Sequence, residues 1–258
     1  MNEFNFKNAI GITALEAKMD DFTYKKHSHQ EYSIGVTLKG IQGYHLKGER
    51  KQSYQNGVMF FNPEENHDGM SNGVQGLEYI MLYIKPEQLL EATNQKHMVQ
   101  FKEPIVYNNK IAQNILQLAN SIFNGSDDVI CYEHFQNLVD GLKIDTYYDE
   151  FNVDNVKLKL AKDIIKNNVS TSFKLDFICS ELNLSKYQFI RLFKQQTGIT
   201  PYQYYINYKA EVAKHIIEKS KDVYLAIAEC AFVDLAHLNK VFKYRYGVTA
   251  YQYMSKLK

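Results

Sequence analysis

The C-terminal half of the chain contains an internal repeat, and few folds accommodate one like it. Phe193-Lys194 recurs as Phe242-Lys243, 49 residues later. The same offset relates Ile178 to Ile227, Arg191 to Lys240, Leu192 to Val241 and Gly198 to Gly247. It also relates Thr200 to Thr249, Gln203 to Gln252 and Tyr204 to Tyr253. A repeat of this period marks two copies of one supersecondary unit.

Each copy reads as helix, tight turn, helix, over about residues 175–197 and 224–246. In the first, Leu175 to Leu182 predicts a helix, Asn183-Leu184 a turn, and Ser185 the N-cap of a second helix. In the second, Tyr224 to Cys230 predicts the first helix, Phe232-Val233 the turn, and Asp234 the cap. Ser and Asp suit that place because their side-chain oxygen accepts from an unpaired backbone N–H. Gly198 and Gly247 stand where a helix end favours a left-handed residue.

Helical spacing separates two faces. Phe189, Leu192 and Phe193 form a core face in the first unit, as do Leu238, Val241 and Phe242 in the second. Tyr187, Ile190, Arg191 and Lys194 are left outward, and so are His237, Asn239, Lys240 and Lys243. A helix-turn-helix lays such an outward face in the major groove of duplex DNA. There Arg or Lys can donate to guanine, and Asn can pair with adenine. Tyr202 to Lys219, free of Pro and Gly, predicts a connecting helix. At about 1.5 Å per residue it would set the two reading helices about one DNA turn apart.

Charge supports that partner. The formal net charge is only +1, but residues 1–150 hold 13 basic against 20 acidic side chains (−7) and residues 151–258 hold 17 against 9 (+8). A basic half suits a phosphate backbone and an acidic half does not. The start of the chain lacks a basic segment followed by an apolar run, and no stretch reaches the length of a membrane span. Cys131, Cys179 and Cys230 are odd in number and widely spaced, so reduced thiols are expected. These features predict a cytoplasmic protein.

The first third reads as β. Strand-like runs at Glu31 to Leu38, Gln42 to Leu46, Lys51 to Tyr54, Val58 to Asn62 and Glu78 to Ile84 alternate with glycine turns, which predicts a sandwich or small barrel. After Pro86 the period changes. Ile111, Ile115, Leu118 and Ile122, then Phe135, Leu138 and Leu142, predict two helices broken at Gly125 to Asp128. This hairpin, Asn108 to Tyr147, either packs on the barrel or pairs with a second subunit. Tyr148 to Asn155 is polar and aperiodic, which places a boundary between domains 1–150 and 151–258.

"LSKYQFIRLFKQQTGITPYQYY" at 184–205 and "AECAFVDLAHLNKVFKYRYGVTAYQYM" at 228–254 resemble the DNA-binding region of the AraC/XylS family of bacterial regulators. The resemblance implies that Tyr187, Ile190 and Arg191 face bases in one half-site, and Ala236, His237, Asn239 and Lys240 in the other. Ser185, Lys186, Lys194 and Lys243 would contact phosphates. Two positions depart from the family's usual pattern: Ala231, where glycine is usual, and Ala250, where proline is usual.

His27, His29 and Glu31 alternate, so on one strand they would share a face. "GVMFFNPEENHDG" at 57–69 then supplies His67. The stretch Tyr24 to Ile84 resembles the cupin-like sensor domain of the same family. The four side chains are expected to line the barrel and bind a small organic effector, without a cofactor. The alternative is a divalent ion, Zn²⁺, Fe²⁺ or Mn²⁺, held by the same four. Tyr32, Tyr44, Tyr54, Tyr79 and Tyr83 are further candidates for a pocket wall.

The fold expected is therefore α+β and multidomain: a cupin-like β-barrel with a helical hairpin, then an all-α domain with two helix-turn-helix units. The function expected is a DNA-binding regulator under effector control, an activator working on RNA polymerase, and homodimeric. A metal-responsive regulator and a metal-dependent cupin enzyme remain as alternatives. No P-loop, GxGxxG, nucleophile elbow or Cys-x-x-Cys is present.

Overall fold

A computed structural model describes residues 2–73, 75–95, 98–142, 145–146 and 153–257. The chain divides into two units: Met1–Thr23 with His29–Tyr148 and Lys256–Lys258, and Tyr24–Ser28 with Asp149–Ser255. Residues 148–152 of the expected boundary, and Tyr147 at the end of the expected hairpin, lie outside the described residues. Among those described, no helix is long and apolar enough to cross a membrane.

The strands are β1 (Glu3–Ala9), β2 (Ile12–Met19), β3 (Thr23–His27), β4 (Tyr32–Lys39), β5 (Gln42–Leu46), β6 (Glu49–Ser53), β7 (Val58–Phe61), β8 (His67–Ser71), β9 (Leu77–Ile84), β10 (Val99–Gln100), β11 (Ile105–Val106) and β12 (Asp145–Thr146). A six-stranded sheet has the order β1-β2-β9-β4-β7-β11 and a four-stranded sheet the order β3-β8-β5-β6. The register of the larger sheet places Ser33 opposite Phe61 on one side and opposite Tyr83 on the other. The sequence reading missed β1, β2, β3, β8 and the two-residue strands β10, β11 and β12. In β2, "ITALEAKM" is rich in helix formers, yet it pairs with β1 and β9, and Ile12 to Leu15 are buried on both faces. Tertiary burial overrides propensity there.

Alternation along β4 sets the layers. Tyr32, Ile34 and Val36 join Val58, Phe60, Ile80 and Leu82 in one apolar cluster with the helical hairpin. That hairpin is α2 (Asn109–Asn124) and α3 (Asp128–Gly141), preceded by α1 (Pro86–Thr93). Ile111, Ile115, Leu118 and Ile122 of α2 and Phe135 and Leu138 of α3 complete the cluster. Asn108 caps α2, and Gly125 ends it with φ +67°. The other face of β4 carries Ser33, Gly35 and Thr37 towards the interior. A Cβ at Gly35 would meet Met81 Sδ at 2.7 Å and the Ile80 carbonyl at 2.5 Å, so only glycine fits. Of the candidate tyrosines, Tyr32 belongs to the hairpin-side core and Tyr54 is 49% exposed, so neither lines an interior pocket.

The second unit carries α4 (Val153–Asn167), α5 (Leu175–Leu182), α6 (Lys186–Thr197), α7 (Pro201–Ser220), α8 (Val223–Glu229), α9 (Leu235–Tyr246) and α10 (Ala250–Lys256). Phe189 and Phe193 of α6 pack with Ile178, Leu182, Tyr204 and Ile165. Leu238, Phe242 and Tyr253 are fully buried in the second copy. Each such side chain contributes about 1.5–3 kcal/mol through burial. Cys131, Cys179 and Cys230 are buried free thiols.

Candidate functional sites

The first helix-turn-helix is closed by local chemistry. α5 ends on Asn183 at φ +50°, a left-handed conformation that asparagine tolerates. The Leu184 N–H returns to the Cys179 carbonyl at 3.0 Å and the Asn183 N–H to the Ser180 carbonyl at 3.2 Å. Ser185 then caps α6, and Gln188 reaches back to complete a capping box. On the outward face Tyr187 is 88% exposed. Arg191 and Lys194 are also exposed, and Ile190 is half-buried. Lys186 is exposed and ion-paired to Asp176 of α5.

The second unit reaches the same shape by other means. α8 ends through Cys230, and Ala231 takes φ +49°. The Phe232 N–H returns to the Ile227 carbonyl at 3.0 Å. Asp234 caps α9 by accepting from the His237 N–H at 2.7 Å. Ala236, Lys240 and Lys243 are exposed, and His237 is half-buried with its ring 5.2 Å from that of Phe232. Asn239 is engaged within the fold: its Oδ1 accepts the Ala250 N–H at 3.0 Å. At the equivalent places of the first unit stand Ile190 and Pro201, an apolar side chain beside a residue with no N–H. Where proline is replaced by Ala250, an N–H appears, and Asn239 satisfies it.

α7 joins the units with 20 residues, about 30 Å of helix. Beneath α9 and α10 it carries an ionic cluster that sequence reasoning missed. Glu211 pairs with Arg245, and both side chains are 3% exposed. Lys214 lies 3.8 Å from Glu211 and 3.8 Å from Glu218. Tyr253 donates its hydroxyl to Glu218. Burial disfavours the charged Glu218 carboxyl, but Lys214, His215 and Tyr253 together hold its pKa down to about 2. Charges three and four residues apart on a helix ordinarily mark a solvated face, so only tertiary structure reveals this one as buried.

In the sheet unit, His29 and Glu31 do not continue a strand from His27. β3 ends at His27, and β4 begins only at Tyr32, so the shared face expected of one strand is not formed. The intervening bend is held where the Glu64 N–H donates to the His29 carbonyl at 2.6 Å. All four expected residues are nonetheless buried. His29 and His67 are brought together, with ring centroids 5.4 Å apart, and Tyr83 flanks His29 at 5.0 Å. Phe61 stacks on His67 at 4.1 Å, and the His67 Nδ1 lies 2.9 Å from the Glu65 carbonyl. His27 ends β3 with Nδ1 2.6 Å from the Lys25 carbonyl. Sequence reasoning did not single out Ser33, 1% exposed, whose hydroxyl has no hydrogen-bond partner among the described residues. A divalent ion in this unit would take its nitrogens from His29 and His67. A separate cleft of about 550 Å³ lies between Phe60, Phe101, Ile105, Tyr107 and Ile111.

Comparison with known proteins agrees with both halves. The AraC-like ligand binding domain family matches residues 9–139, and a helix-turn-helix domain family matches residues 178–256. The chain is 23% identical over 224 residues to the HTH-type transcriptional regulator YbfI of Bacillus subtilis, covering 83% of this chain and 81% of that one. It is 21% identical over 251 residues to the HTH-type transcriptional activator RhaS of Escherichia coli, covering 92% and 90%. In fold it is similar to ToxT of Vibrio cholerae bound to an unsaturated fatty acid, with a TM-score of 0.61 at 13% identity, covering 100% and 98%. An apo form of ToxT gives 0.65 at 12% identity, covering 98% and 100%. The chain is a member of the AraC family, a transcriptional regulator with an N-terminal ligand-binding domain and a C-terminal helix-turn-helix domain.

Proposed function

We propose that α6 and α9 read two half-sites about one helical turn apart on one face of duplex DNA. The carrying observation is that both helices, capped at Ser185 and Asp234, leave basic outward faces and are joined by one unbroken helix. Tyr187, Ile190 and Arg191 read bases in one half-site, and Ala236, His237 and Lys240 in the other. Asn239 takes part only if its bond to Ala250 opens. Ser185, Lys186, Lys194 and Lys243 hold phosphates, with Lys186 exchanging Asp176 for DNA.

The effector binds on the inner side of the sheet unit, against His29, Glu31, Ser33 and His67. The buried Ser33 hydroxyl supports a polar ligand there, because a buried polar group ordinarily finds a partner. The exposed Val129 and Tyr132 of α3, 67% and 55% accessible, support a homodimer through the hairpin. Binding then shifts operator affinity in the cytoplasm and activates transcription through RNA polymerase, as the regulator reading favours over an enzyme. A divalent ion as effector is the second reading, favoured by the facing His29 and His67 imidazoles.

Selection of duplexes from random sequence by the full chain tests the DNA reading. Two enriched half-sites are expected, and no enrichment by folded protein would overturn it. Titration of the same protein with divalent ions, followed by chelator, separates the two effector readings.

A further inference from the structure

We propose that Lys209 is a positioning residue that ties the two helix-turn-helix units together and holds the second unit's turn in its reading shape. Lys209 sits on α7 and is 4% exposed. Burying an ammonium is unfavourable unless the fold supplies partners. Here its Nζ donates to the Ala231 carbonyl at 2.7 Å and lies 3.3 Å from the Tyr205 hydroxyl. It also lies 4.6 Å from the centre of the Phe232 ring. The Tyr205 hydroxyl in turn donates to the Thr171 carbonyl, in the loop before α5. One side chain thus bonds the turn of the second unit and, through Tyr205, the entry to the first.

The turn needs support because of its residue. Ala231 holds φ +49°, a conformation in which an L side chain crowds the following carbonyl. The helix ends at Gly198 and Gly247 meet the same demand with glycine, at φ +75° and +76°. The first unit's turn uses Asn183. At Ala231 the residue itself does not favour the shape, and the bond from Lys209 does. The effect reaches the reading face: Phe232, under the ammonium, packs edge-on against His237 of α9.

This inference rests on α9 reading DNA, but part of its test does not. A double-mutant cycle of Lys209→Met and Ala231→Gly in the full chain compares thermal unfolding of the four proteins. Lys209→Met should lower the Tm of the helical unit by about 4–8 °C with Ala231 in place. It should lower it by clearly less in the Ala231→Gly background, because glycine holds the turn unaided. Equal losses in both backgrounds would mean that Lys209 is ordinary core, and would overturn the proposal whether or not the protein binds DNA.

On duplexes selected by the wild-type chain, Lys209→Met should weaken binding about tenfold when the second half-site is intact. It should do little when that half-site is scrambled, and Ala231→Gly should restore most of the loss. Equal weakening on both duplexes would also overturn it. If Lys209→Met does not fold, Lys209→Arg keeps the donors and decides the matter. Retained discrimination between intact and scrambled second half-sites supports the proposal, and its loss in a folded protein contradicts it. Should none of the proteins enrich DNA, the regulator reading fails, and the Tm cycle still decides the role of Lys209.

Discussion

The two helix-turn-helix units share a shape but not its supports. In the first, the left-handed turn residue is Asn183, the cap is a reciprocal Ser185–Gln188 pair, and α7 starts with Pro201 beside Ile190. In the second, the turn residue is Ala231, the cap is Asp234 alone, and α10 starts with Ala250 bonded to Asn239. Among the described residues, the buried charges of the helical unit all lie on α7 and α9: Lys209, Glu211, Lys214 and Arg245. The turn of the first unit is closed by chemistry within a few residues, with the Tyr205 hydroxyl reaching the Thr171 carbonyl ahead of it. The second depends on contacts that span more than twenty residues of sequence, such as Lys209 with Ala231 and Glu211 with Arg245. Weakening tertiary contacts should therefore disable the second unit first.

Arg245→Ala should have the largest effect. It leaves Glu211 buried without its guanidinium partner, and such a loss costs about 3–5 kcal/mol. Denaturant unfolding should show the stability drop. Amide exchange should place the early opening in α9 and α10, with α5 and α6 still protected.

Acid should produce a smaller loss in the same place. The Glu218 pKa is depressed in the fold to about 2 from an ordinary 4.5. A depressed carboxyl contributes stability that is present above about 4.5 and lost as pH falls towards 2. That shift corresponds to about 3 kcal/mol. Exchange measured from pH 6 to 3 should show α10 and the facing turn of α7 loosening before α6 does. Glu218→Gln should remove that pH dependence.

Next come the helix-start pairs, which can be exchanged. Asn239→Ile leaves the Ala250 N–H without its acceptor and should cost about 1–2 kcal/mol. Adding Ala250→Pro removes the N–H and should recover most of that loss, since the double variant imports the pair found at Ile190 and Pro201. Additive losses in an unfolding titration would show that the two pairs are not equivalent solutions.

Ser185→Ala should have the smallest effect, about 1 kcal/mol from the lost N-cap. Circular dichroism melts should place the loss in the first unit and leave the acid response of the second unchanged.

The sequence revealed the parts of the fold governed by short-range rules. The repeat, the caps at Ser185 and Asp234, the glycine stops and the hairpin helices could all be read from spacing. The strand β2 could not, because Leu15, Glu16, Ala17 and Lys18 favour helix by propensity, and only pairing with two neighbouring strands makes them extended. The ionic cluster under α9 was hidden for a similar reason: Glu211, Lys214 and Glu218 look like a solvated helix face. At the candidate sites the outward residues of α6 emerge as expected. Asn239 does not, because its partner depends on what stands at position 250. Around β3 and β4 the sequence located four buried polar residues, but it placed a strand where the bend between His27 and Tyr32 lies, and it did not count Ser33 among the candidates.

The most direct measurement is the affinity of the full chain for a selected duplex before and after about five base pairs, half a turn, are inserted between the half-sites. Half a turn rotates one half-site to the opposite face of the duplex. Two helices fixed on one rigid connector cannot follow that rotation. Binding should then fall to that of a single half-site, at least about tenfold weaker by the discrimination typical of one good base contact. Unchanged affinity would contradict the account, because it would mean that α6 and α9 do not read the DNA together.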